Sequence, residues 1–277
     1  MTRRAAVLGS PIRHSLSPVL HRAAYAALGL EGWSYEVVET GEADLAGFVA
    51  GLDASWAGLS LTMPLKRVAL DVADTVSPLA EAVGAANTLV LGPDGRHADN
   101  TDVVGIVGAL RAAGVEKVEQ AVVLGAGGTA QAALAALREL GAAEPTVLVR
   151  EPRRAGELLD AAERLDVRPD VRGVLTDAEV AAGLLDGADV VLSTLPAGAA
   201  DELAGARWRD RTVVLDVVYA PWPTALAAGA AVAGCRVASG LDMLLHQAVA
   251  QVELMTGHEG PVGAMRAALD AAVRDWT

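Results

Sequence analysis

Apolar residues occur along this chain in two patterns: short continuous runs, and longer segments in which they recur at helical spacing. In the first part of the chain the short runs predict strands and the spaced segments predict helices. The predicted strands are residues 5–9, 33–38, 58–63 and 87–91. The predicted helices are residues 18–28, 44–52, 65–71 and 105–112.

Beyond residue 120 the two kinds of element alternate regularly. Strands are predicted at residues 121–124, 146–149, 189–193, 212–218 and 235–238, and helices at residues 128–140, 153–165 and 223–233. This alternation predicts crossover connections, and therefore an α/β fold with a doubly wound parallel sheet that carries helices on both faces. The last forty residues are predicted to be helical, with Gln247 and Gln251 on the flank of an apolar face.

A glycine-rich turn follows the strand at 121–124. It reads Gly125, Ala126, Gly127, Gly128, and an alanine-rich helix opens with Thr129 and Ala130. Glycines let backbone N–H groups approach a phosphate, and the positive end of the helix points at the same anion. The arrangement predicts a dinucleotide-binding turn. A glycine-rich turn without a ligand is the alternative that these residues leave open.

Composition limits the classes of function. The 277 residues suffice for two domains, and no apolar run approaches the length that a membrane span needs. A net charge of -13 argues against nucleic-acid binding. The N-terminal segment lacks the apolar region of a secretory signal, and one cysteine, Cys235, excludes an internal disulfide framework. We therefore expect a cytoplasmic protein with small-molecule ligands.

Two residue types are scarce enough to mark candidate positions. Lys66 and Lys117 are the only lysines, and Asn87 and Asn100 are the only asparagines. Lys66 is expected in the first turn of a helix, where a cation opposes the helix dipole, so a functional role is favoured over a surface role. His14, His21 and His246 have no metal-ligand spacing, and no metal site is expected.

Six motifs occur in a fixed order along the chain. They are Ser-Pro-Ile-Arg-His-Ser-Leu-Ser-Pro (10–18), Ser-Leu-Thr-Met-Pro-Leu-Lys (60–66), Ala-Asn-Thr-Leu (86–89), Asp-Asn-Thr-Asp (99–102), Gly-Ala-Gly-Gly (125–128) and Ser-Gly-Leu-Asp-Met-Leu-Leu-His-Gln (239–247). Together they resemble the shikimate dehydrogenase family over residues 5 to 255. That family reduces 3-dehydroshikimate to shikimate with NADPH, in aromatic amino-acid biosynthesis.

The resemblance implies two domains. Residues 1–102 with 240–277 would form a smaller α/β substrate-binding domain, and residues 103–239 would form a Rossmann-type dinucleotide-binding domain. It also implies that Lys66 and Asp102 are the catalytic pair. Reduction of a ketone by hydride leaves an oxygen that needs a proton, which an ammonium can supply. Whether Lys66 transfers that proton or only positions the substrate stays open, and Asp102 has an alternative role in capping a helix.

The remaining site residues follow from the same resemblance. Ser15 and Ser17 match the family's carboxylate-binding serines, and the other predicted substrate contacts are Ser60, Thr62, Asn87, Gln247 and Tyr219. Ser60 stands where many members carry asparagine. Local roles compete at four positions: a turn bond for Ser15, a helix N-cap for Ser17, a turn amide for Asn87, and a polar helix edge for Gln247.

NADP is the predicted cofactor. Arg150 and Arg154 match basic positions that would hold its 2′-phosphate, whereas Glu151 departs from the family pattern and would favour NAD. The full set of predicted cofactor contacts is Gly125, Ala126, Gly127, Gly128, Thr129, Ala130, Arg150, Arg154, Thr194, Gly240 and Met243. Within the same scaffold, a quinate/shikimate or aminoshikimate dehydrogenase is the alternative, and a catalytically silent NADP-binding protein is another. The sequence leaves a homodimer open.

Overall fold

The structure, a computed structural model, describes residues 2–274. Contacts within the chain divide it into two compact units. The first unit contains the chain up to residue 102 together with residues 244–274, and the second contains residues 103–243. Within the described residues, no helix is both long enough and apolar enough to cross a membrane.

The first unit is built on a six-stranded mixed sheet. Its strands are β1 (Arg3–Gly9), β2 (Trp33–Glu39), β3 (Trp56–Leu61), β4 (Thr75–Val76), β5 (Thr88–Gly92) and β6 (Gly95–Asp99). Its first four helices are α1 (Ser17–Ala27), α2 (Glu42–Ala50), α3 (Val68–Asp71) and α4 (Pro78–Val83). The strand order is β2-β1-β3-β5-β6-β4.

The pairing of these strands brings several loops to one edge of the sheet. Strands β1, β2 and β3 are parallel, β5 runs antiparallel to β3, and β6 runs antiparallel to β5. Thr88 pairs with Ser60 on one side and with Asp99 on the other. The carboxyl ends of β1, β3 and β6 and the amino end of β5 therefore lie together. Buried side chains such as Leu8 and Leu59 hold this sheet against its helices.

The second unit is a parallel sheet between two layers of helices. Its strands are β7 (Ala121–Leu124), β8 (Thr146–Leu148), β9 (Asp170–Arg172), β10 (Val190–Ser193), β11 (Val213–Asp216) and β12 (Arg236–Ser239). Its helices are α5 (Asp102–Ala112), α6 (Gly128–Glu139), α7 (Gly156–Arg164), α8 (Ala178–Leu185) and α9 (Ala225–Val232). Two helices complete the chain, α10 (Gly240–Thr256) and α11 (Val262–Val273).

The strand order of the second sheet is β9-β8-β7-β10-β11-β12, and every pair is parallel. The chain begins in the middle at β7, winds outward to β9, and then returns to build the other half from β10. This is the doubly wound order, and ligands of such sheets bind beyond the carboxyl ends of the strands at the reversal. Strands β7, β10 and β11 are buried along their whole length, as apolar runs in a parallel sheet require. The predicted α/β fold is confirmed.

Some local predictions were wrong. Lys66 lies in a turn before α3, which begins at Val68, so the expected position in the first turn of a helix is not observed. The reason is that Leu65 N closes an i→i+3 turn onto Thr62 O at 2.8 Å, so the chain turns before α3 begins. Ser17 is the first residue of α1 and not its N-cap, which is Leu16.

Candidate active site

The loops after β1 and β3 meet at the edge of the first sheet. Ser10 N donates to Met63 O at 3.0 Å, and Thr62 N donates to Leu8 O at 3.0 Å. A Cβ at Gly9 would lie 2.5 Å from Thr62 Cγ2, so glycine is needed for this close approach. The two loops carry the predicted substrate residues of the first and second motifs.

Lys66 and Asp102 form a hydrogen-bonded ion pair at this edge. Lys66 Nζ lies 2.6 Å from Asp102 Oδ2, and the Asp102 side chain is 6% exposed against 19% for Lys66. The other carboxylate oxygen of Asp102 accepts from Asn87 Nδ2 at 3.0 Å. Both oxygens of Asp102 thus bind residues from other segments, which disfavours the alternative of a helix-capping carboxylate. The structure brings the predicted catalytic pair together.

Asn87 is the buried centre of this cluster. Its Oδ1 accepts from Thr101 N at 2.8 Å, and its Nδ2 donates to Thr101 Oγ1 at 2.9 Å. Gln247 Oε1 accepts from Asn87 Nδ2 at 3.3 Å, and Gln247 is 7% exposed. Gln247 is therefore not simply the polar edge of a helix, whereas Asn87 both supports its turn and contacts the carboxylate of Asp102.

Two serines of the prediction, Ser15 and Ser60, have other side-chain partners in the structure. Ser15 Oγ accepts from Ser17 N at 3.3 Å, which is the local turn bond expected as its alternative role. Ser60 is buried, where its hydroxyl accepts from Tyr35 OH at 2.6 Å and donates to Gln251 Oε1 at 2.7 Å. The predicted substrate contacts of these serines stay predictions.

The scarcity of lysine and asparagine indicated a residue of the site in some cases and not in others. Asn100 belongs to the cluster, since its Oδ1 accepts from Asp102 N at 3.0 Å. Lys117, in contrast, is exposed in the second unit, where it pairs with Glu119 at 3.3 Å. Sequence reasoning gave no role to Gln251, although its place one turn after Gln247 was a usable signal.

In the second unit the glycine turn has the geometry that its sequence predicts. Gly125 has φ +106°, and a Cβ there would lie 2.6 Å from Thr194 Oγ1. Thr194 donates its hydroxyl to Leu124 O at 2.8 Å, so the turn and the end of β10 are joined. Gly125 is therefore required by the fold of the unit itself.

The next two glycines have a different explanation. A Cβ at Gly127 or Gly128 would meet nothing within 4 Å, so packing does not require glycine at either position. Gly127 is the N-cap of the twelve-residue helix α6 and supplies no capping side chain. Unobstructed N–H groups at a helix N-terminus fit the close approach of a pyrophosphate. The residues present therefore fit a dinucleotide.

A groove of about 560 Å³ runs from this turn to the loop after β8. It is lined by Gly125, Ala126, Gly127, Val149, Arg150, Glu151, Arg154, Glu157, Leu175 and Leu195. The predicted phosphate-binding arginines, Arg150 and Arg154, thus share one groove with the glycine turn. Arg153 pairs with Glu151 through a 2.9 Å contact, so the carboxylate that would repel a phosphate has a neighbouring cation.

The other predicted residues of the second unit lie after its strands. Gly240 begins α10, and a Cβ there would collide with the carbonyl oxygen of Val217, so packing already explains this glycine. Met243 is buried. Tyr219 is also partly removed from solvent, which raises the pKa of its hydroxyl. The contacts of these residues with ligands stay predictions. In the part of the chain that the structure describes, no three His, Cys, Asp or Glu side chains are grouped to hold a metal ion.

A doubly wound unit with a glycine turn and an arginine-bearing groove, joined to a unit with a lysine–carboxylate pair, defines a class: the nicotinamide-dependent oxidoreductases. Family comparison is consistent with that class. The model of the shikimate dehydrogenase substrate binding domain matches residues 7–89, and the model of the shikimate 5'-dehydrogenase C-terminal domain matches residues 240–269.

Individual relatives match over nearly the whole chain. The shikimate dehydrogenase (NADP(+)) of Moorella thermoacetica is 38% identical over 279 residues, which cover 98% of this chain and 94% of that protein. The crystal structure of Mycobacterium tuberculosis shikimate dehydrogenase has a TM-score of 0.88 and 47% identity, covering 98% of this chain and 99% of that one. The Thermus thermophilus shikimate 5-dehydrogenase in complex with NADP(H) and shikimate has a TM-score of 0.82 and 34% identity, covering 98% and 100%.

The chain belongs to the shikimate dehydrogenase family. The resemblance that the six motifs indicated is confirmed, as is the prediction of an enzyme of the oxidoreductase class.

Proposed function

We propose that this protein is an NADP-dependent shikimate dehydrogenase, which reduces 3-dehydroshikimate to shikimate reversibly. The observation that carries the proposal is the Lys66–Asp102 pair, held by Asn87 and placed at the edge where the family's substrate motifs meet. The matched relatives are named shikimate dehydrogenases that use NADP(+). The family's place in aromatic amino-acid biosynthesis would then apply to this chain.

The chemistry assigns Lys66 to the reacting oxygen. When bound, the reduced nicotinamide supplies the hydride that adds to the carbonyl carbon of the substrate. The carbonyl oxygen gains negative charge, and Lys66 Nζ stabilises that charge and holds a proton for it. Asp102 fixes the ammonium through the 2.6 Å bond. The product is a secondary alcohol, with the hydride on carbon and the proton on oxygen.

Polar groups of the first unit suit the rest of the substrate. Shikimate carries a carboxylate and several hydroxyls, so it needs many small donors and acceptors. We assign the carboxylate to Ser15 and Ser17, and the hydroxyls and ketone to Thr62, Asn87 and Gln247. Asn87 Nδ2 donates to Gln247 Oε1 at 3.3 Å, so the two amides are neighbours, which supports assigning them to one ligand. Ser60, whose hydroxyl already bonds Tyr35 and Gln251, is a lesser proposed contact. Tyr219, which belongs to the second unit, is another.

The groove of the second unit favours NADPH over NADH. Arg150 and Arg154 line it beside the glycine turn, and guanidinium groups bind phosphate oxygens in a bidentate manner. The pair of Glu151 with Arg153 lowers the repulsion that Glu151 would exert on a 2′-phosphate. Thr129, Ala130, Thr194, Gly240 and Met243 complete the proposed cofactor contacts.

A single comparative assay tests the proposal. The purified protein is supplied with shikimate or quinate, each with NADP⁺ or NAD⁺, and the formation of reduced nicotinamide is followed by absorbance. We expect the highest kcat/KM for shikimate with NADP⁺. Faster turnover of quinate would favour the quinate/shikimate alternative. Tight NADPH binding without turnover of any substrate would indicate a silent cofactor-binding protein.

We also propose a cytoplasmic location and a homodimer. The sequence has one cysteine, Cys235, which is buried and forms no disulfide bond. A chain that does not depend on disulfide bonds suits a reducing compartment. Fractionation of the source cells tests the location, and sedimentation equilibrium of the purified protein tests the dimer.

A further inference from the structure

Gln251 lies on α10 in the first unit and is 1% exposed. All four hydrogen-bonding positions of its amide are used. Nε2 donates to Asn87 O at 3.1 Å and to Thr88 Oγ1 at 3.0 Å. Oε1 accepts from Ser60 Oγ at 2.7 Å and lies 3.3 Å from His21 Nε2. A primary amide has two donor hydrogens and two acceptor lone pairs, so Gln251 is saturated.

These bonds have a defined direction. Because Gln251 donates to Thr88 Oγ1, the hydroxyl hydrogen of Thr88 is directed to Asn87 Oδ1, 2.9 Å away. Asn87 Oδ1 also accepts from Thr101 N. With its oxygen occupied in this way, the Asn87 amide turns its nitrogen toward Asp102 Oδ1. The reverse orientation would place an amide oxygen against a carboxylate and would break both bonds.

A buried amide is not needed merely to fill this space. An unbranched apolar side chain of similar length would occupy the same volume without the cost of removing an amide from water. A buried polar network whose members are satisfied selects one arrangement of its side chains. The amides of Gln251 and Asn87 are satisfied in this way, whereas Nδ1 of their neighbour His21 is buried without a hydrogen-bond partner. The arrangement selected here is that of Asn87, which is 2% exposed.

We propose that Gln251 is a positioning residue for the catalytic pair. Through the hydroxyl of Thr88 it holds the amide of Asn87, and through Asn87 it fixes the carboxylate of Asp102 against Lys66. The inference rests on the proposed function, because Lys66 and Asp102 are a catalytic pair only if the protein catalyses the dehydrogenase reaction. Gln251 does not hydrogen-bond Lys66 or Asp102 directly within the described residues.

Two substitutions separate positioning from packing. Gln251→Met keeps the length of the side chain and removes its amide, and Thr88→Val keeps the shape and removes only the hydroxyl. The matched control is Thr256→Val on the same helix, whose hydroxyl bonds Val252 O within α10. Each variant is assayed as folded protein, with the folded fraction checked by circular dichroism.

Two measurements are made on each variant. Calorimetric titration with shikimate alone gives the Kd without any cofactor, and initial rates with NADP⁺ give kcat and KM. We expect Gln251→Met and Thr88→Val to lower kcat/KM by about tenfold or more, since small displacements of catalytic groups are costly. Both should also weaken shikimate binding through Asn87. Thr256→Val should leave both quantities at the wild-type values.

A double-mutant cycle tests the route of the effect. If Gln251 acts through Asn87, adding Gln251→Met to Asn87→Ala should cause little further loss of kcat/KM. Losses that multiply would overturn the inference, as would wild-type kinetics in folded Gln251→Met and Thr88→Val. If Gln251→Met does not fold, the Thr88→Val arm decides alone. A wild-type protein that neither binds nor oxidises shikimate would overturn the proposed function as well.

Discussion

Lys66 Nζ and Asp102 Oδ2 are 2.6 Å apart, although 36 positions separate the two residues in the sequence. The carboxylate is almost fully buried, and its second oxygen is held by Asn87. An ammonium group carries three hydrogens, and the bond to Asp102 uses one of them. The pair therefore places an oriented cation at the sheet edge where the polar loops of the first unit meet.

Replacement of Lys66 tests its role in the reaction. Lys66→Ala should lower kcat by about 10²–10⁴-fold, the range that a positioned acid or base contributes, and should raise KM far less. Steady-state kinetics with shikimate and NADP⁺ measure both constants. Lys117→Ala is the matched control, because it removes the other lysine from an exposed ion pair. A variant that loses only binding would show that Lys66 positions the substrate without acting in the chemical step.

Arg153 is expected to influence cofactor choice through Glu151. Arg153→Ala should raise the KM for NADP⁺ by about two- to fivefold, since an exposed ion pair contributes up to about 1 kcal/mol. The KM for NAD⁺ should not change, and Glu151→Gln should improve NADP⁺ binding. The control is Arg168→Ala, which breaks an exposed pair with Glu144 outside the groove. Equal changes for both cofactors would argue against a role in recognising the 2′-phosphate.

Two glycines of the turn should respond differently to alanine. Gly125→Ala should lower the free energy of unfolding by about 1–3 kcal/mol, because φ is +106° and the new Cβ would meet Thr194. Gly128→Ala should leave that free energy within about 0.5 kcal/mol, since its Cβ would meet nothing.

The cofactor provides the second readout for this pair of glycines. Calorimetric titration with NADPH should show weaker binding by Gly128→Ala, because a Cβ would occupy the path of the pyrophosphate. If Gly128→Ala binds NADPH with the wild-type affinity, the pyrophosphate of the cofactor does not lie against Gly128.

Buried His21 predicts a specific loss of stability in acid. Burial lowers its pKa from 6.5 to about 3, and its ring is stacked on Tyr35 at 4.0 Å. Below pH 6.5 the unfolded chain binds a proton at this residue while the folded chain does not. The free energy of unfolding should therefore fall by up to about 1.4 kcal/mol per pH unit between those two values.

Urea denaturation at a series of pH values measures this effect. The variant His21→Phe keeps an aromatic ring against Tyr35, so the difference between the two curves isolates the histidine. Asp216, whose pKa is raised by burial, titrates in both proteins and cancels in that difference. Parallel curves for the two proteins would show that His21 does not titrate in this way.

Short and polar elements were the ones that the apolar pattern could not predict. Strand β4 has two residues, and β6 contains Arg96, His97 and Asp99 with little apolar content. Strand β6 exists because the chain folds back and pairs with β5, not because of its own periodicity. Helix α4 was missed as well, although Ser77 caps it and a proline follows.

Most of the second unit was predictable because its information is local; β9 and α8 are the elements of this unit that the apolar pattern did not predict. A buried strand, a glycine turn and an alanine-rich helix are each recognised within about a dozen residues, and their alternation implies a parallel sheet. The positive φ of Gly125 belongs to this local turn, whereas the contact that a Cβ there would make with Thr194 comes from the end of β10. The order of its strands is not local information, because it depends on how the crossover helices pack to cover both faces of the sheet.

The sequence by itself determined the α/β fold, the glycine turn, and the identity of Lys66, Asp102, Asn87 and Gln247 as candidates. Only the tertiary structure decided that Lys66 lies in a turn, and that Gln251 is linked to Asn87. The physical reason is that apolar periodicity is a property of one segment, whereas a hydrogen-bond partner is chosen by whichever strand ends and helix faces pack together. In this protein those partners come from segments as far apart as Asn87 and Gln251, which are 164 positions apart.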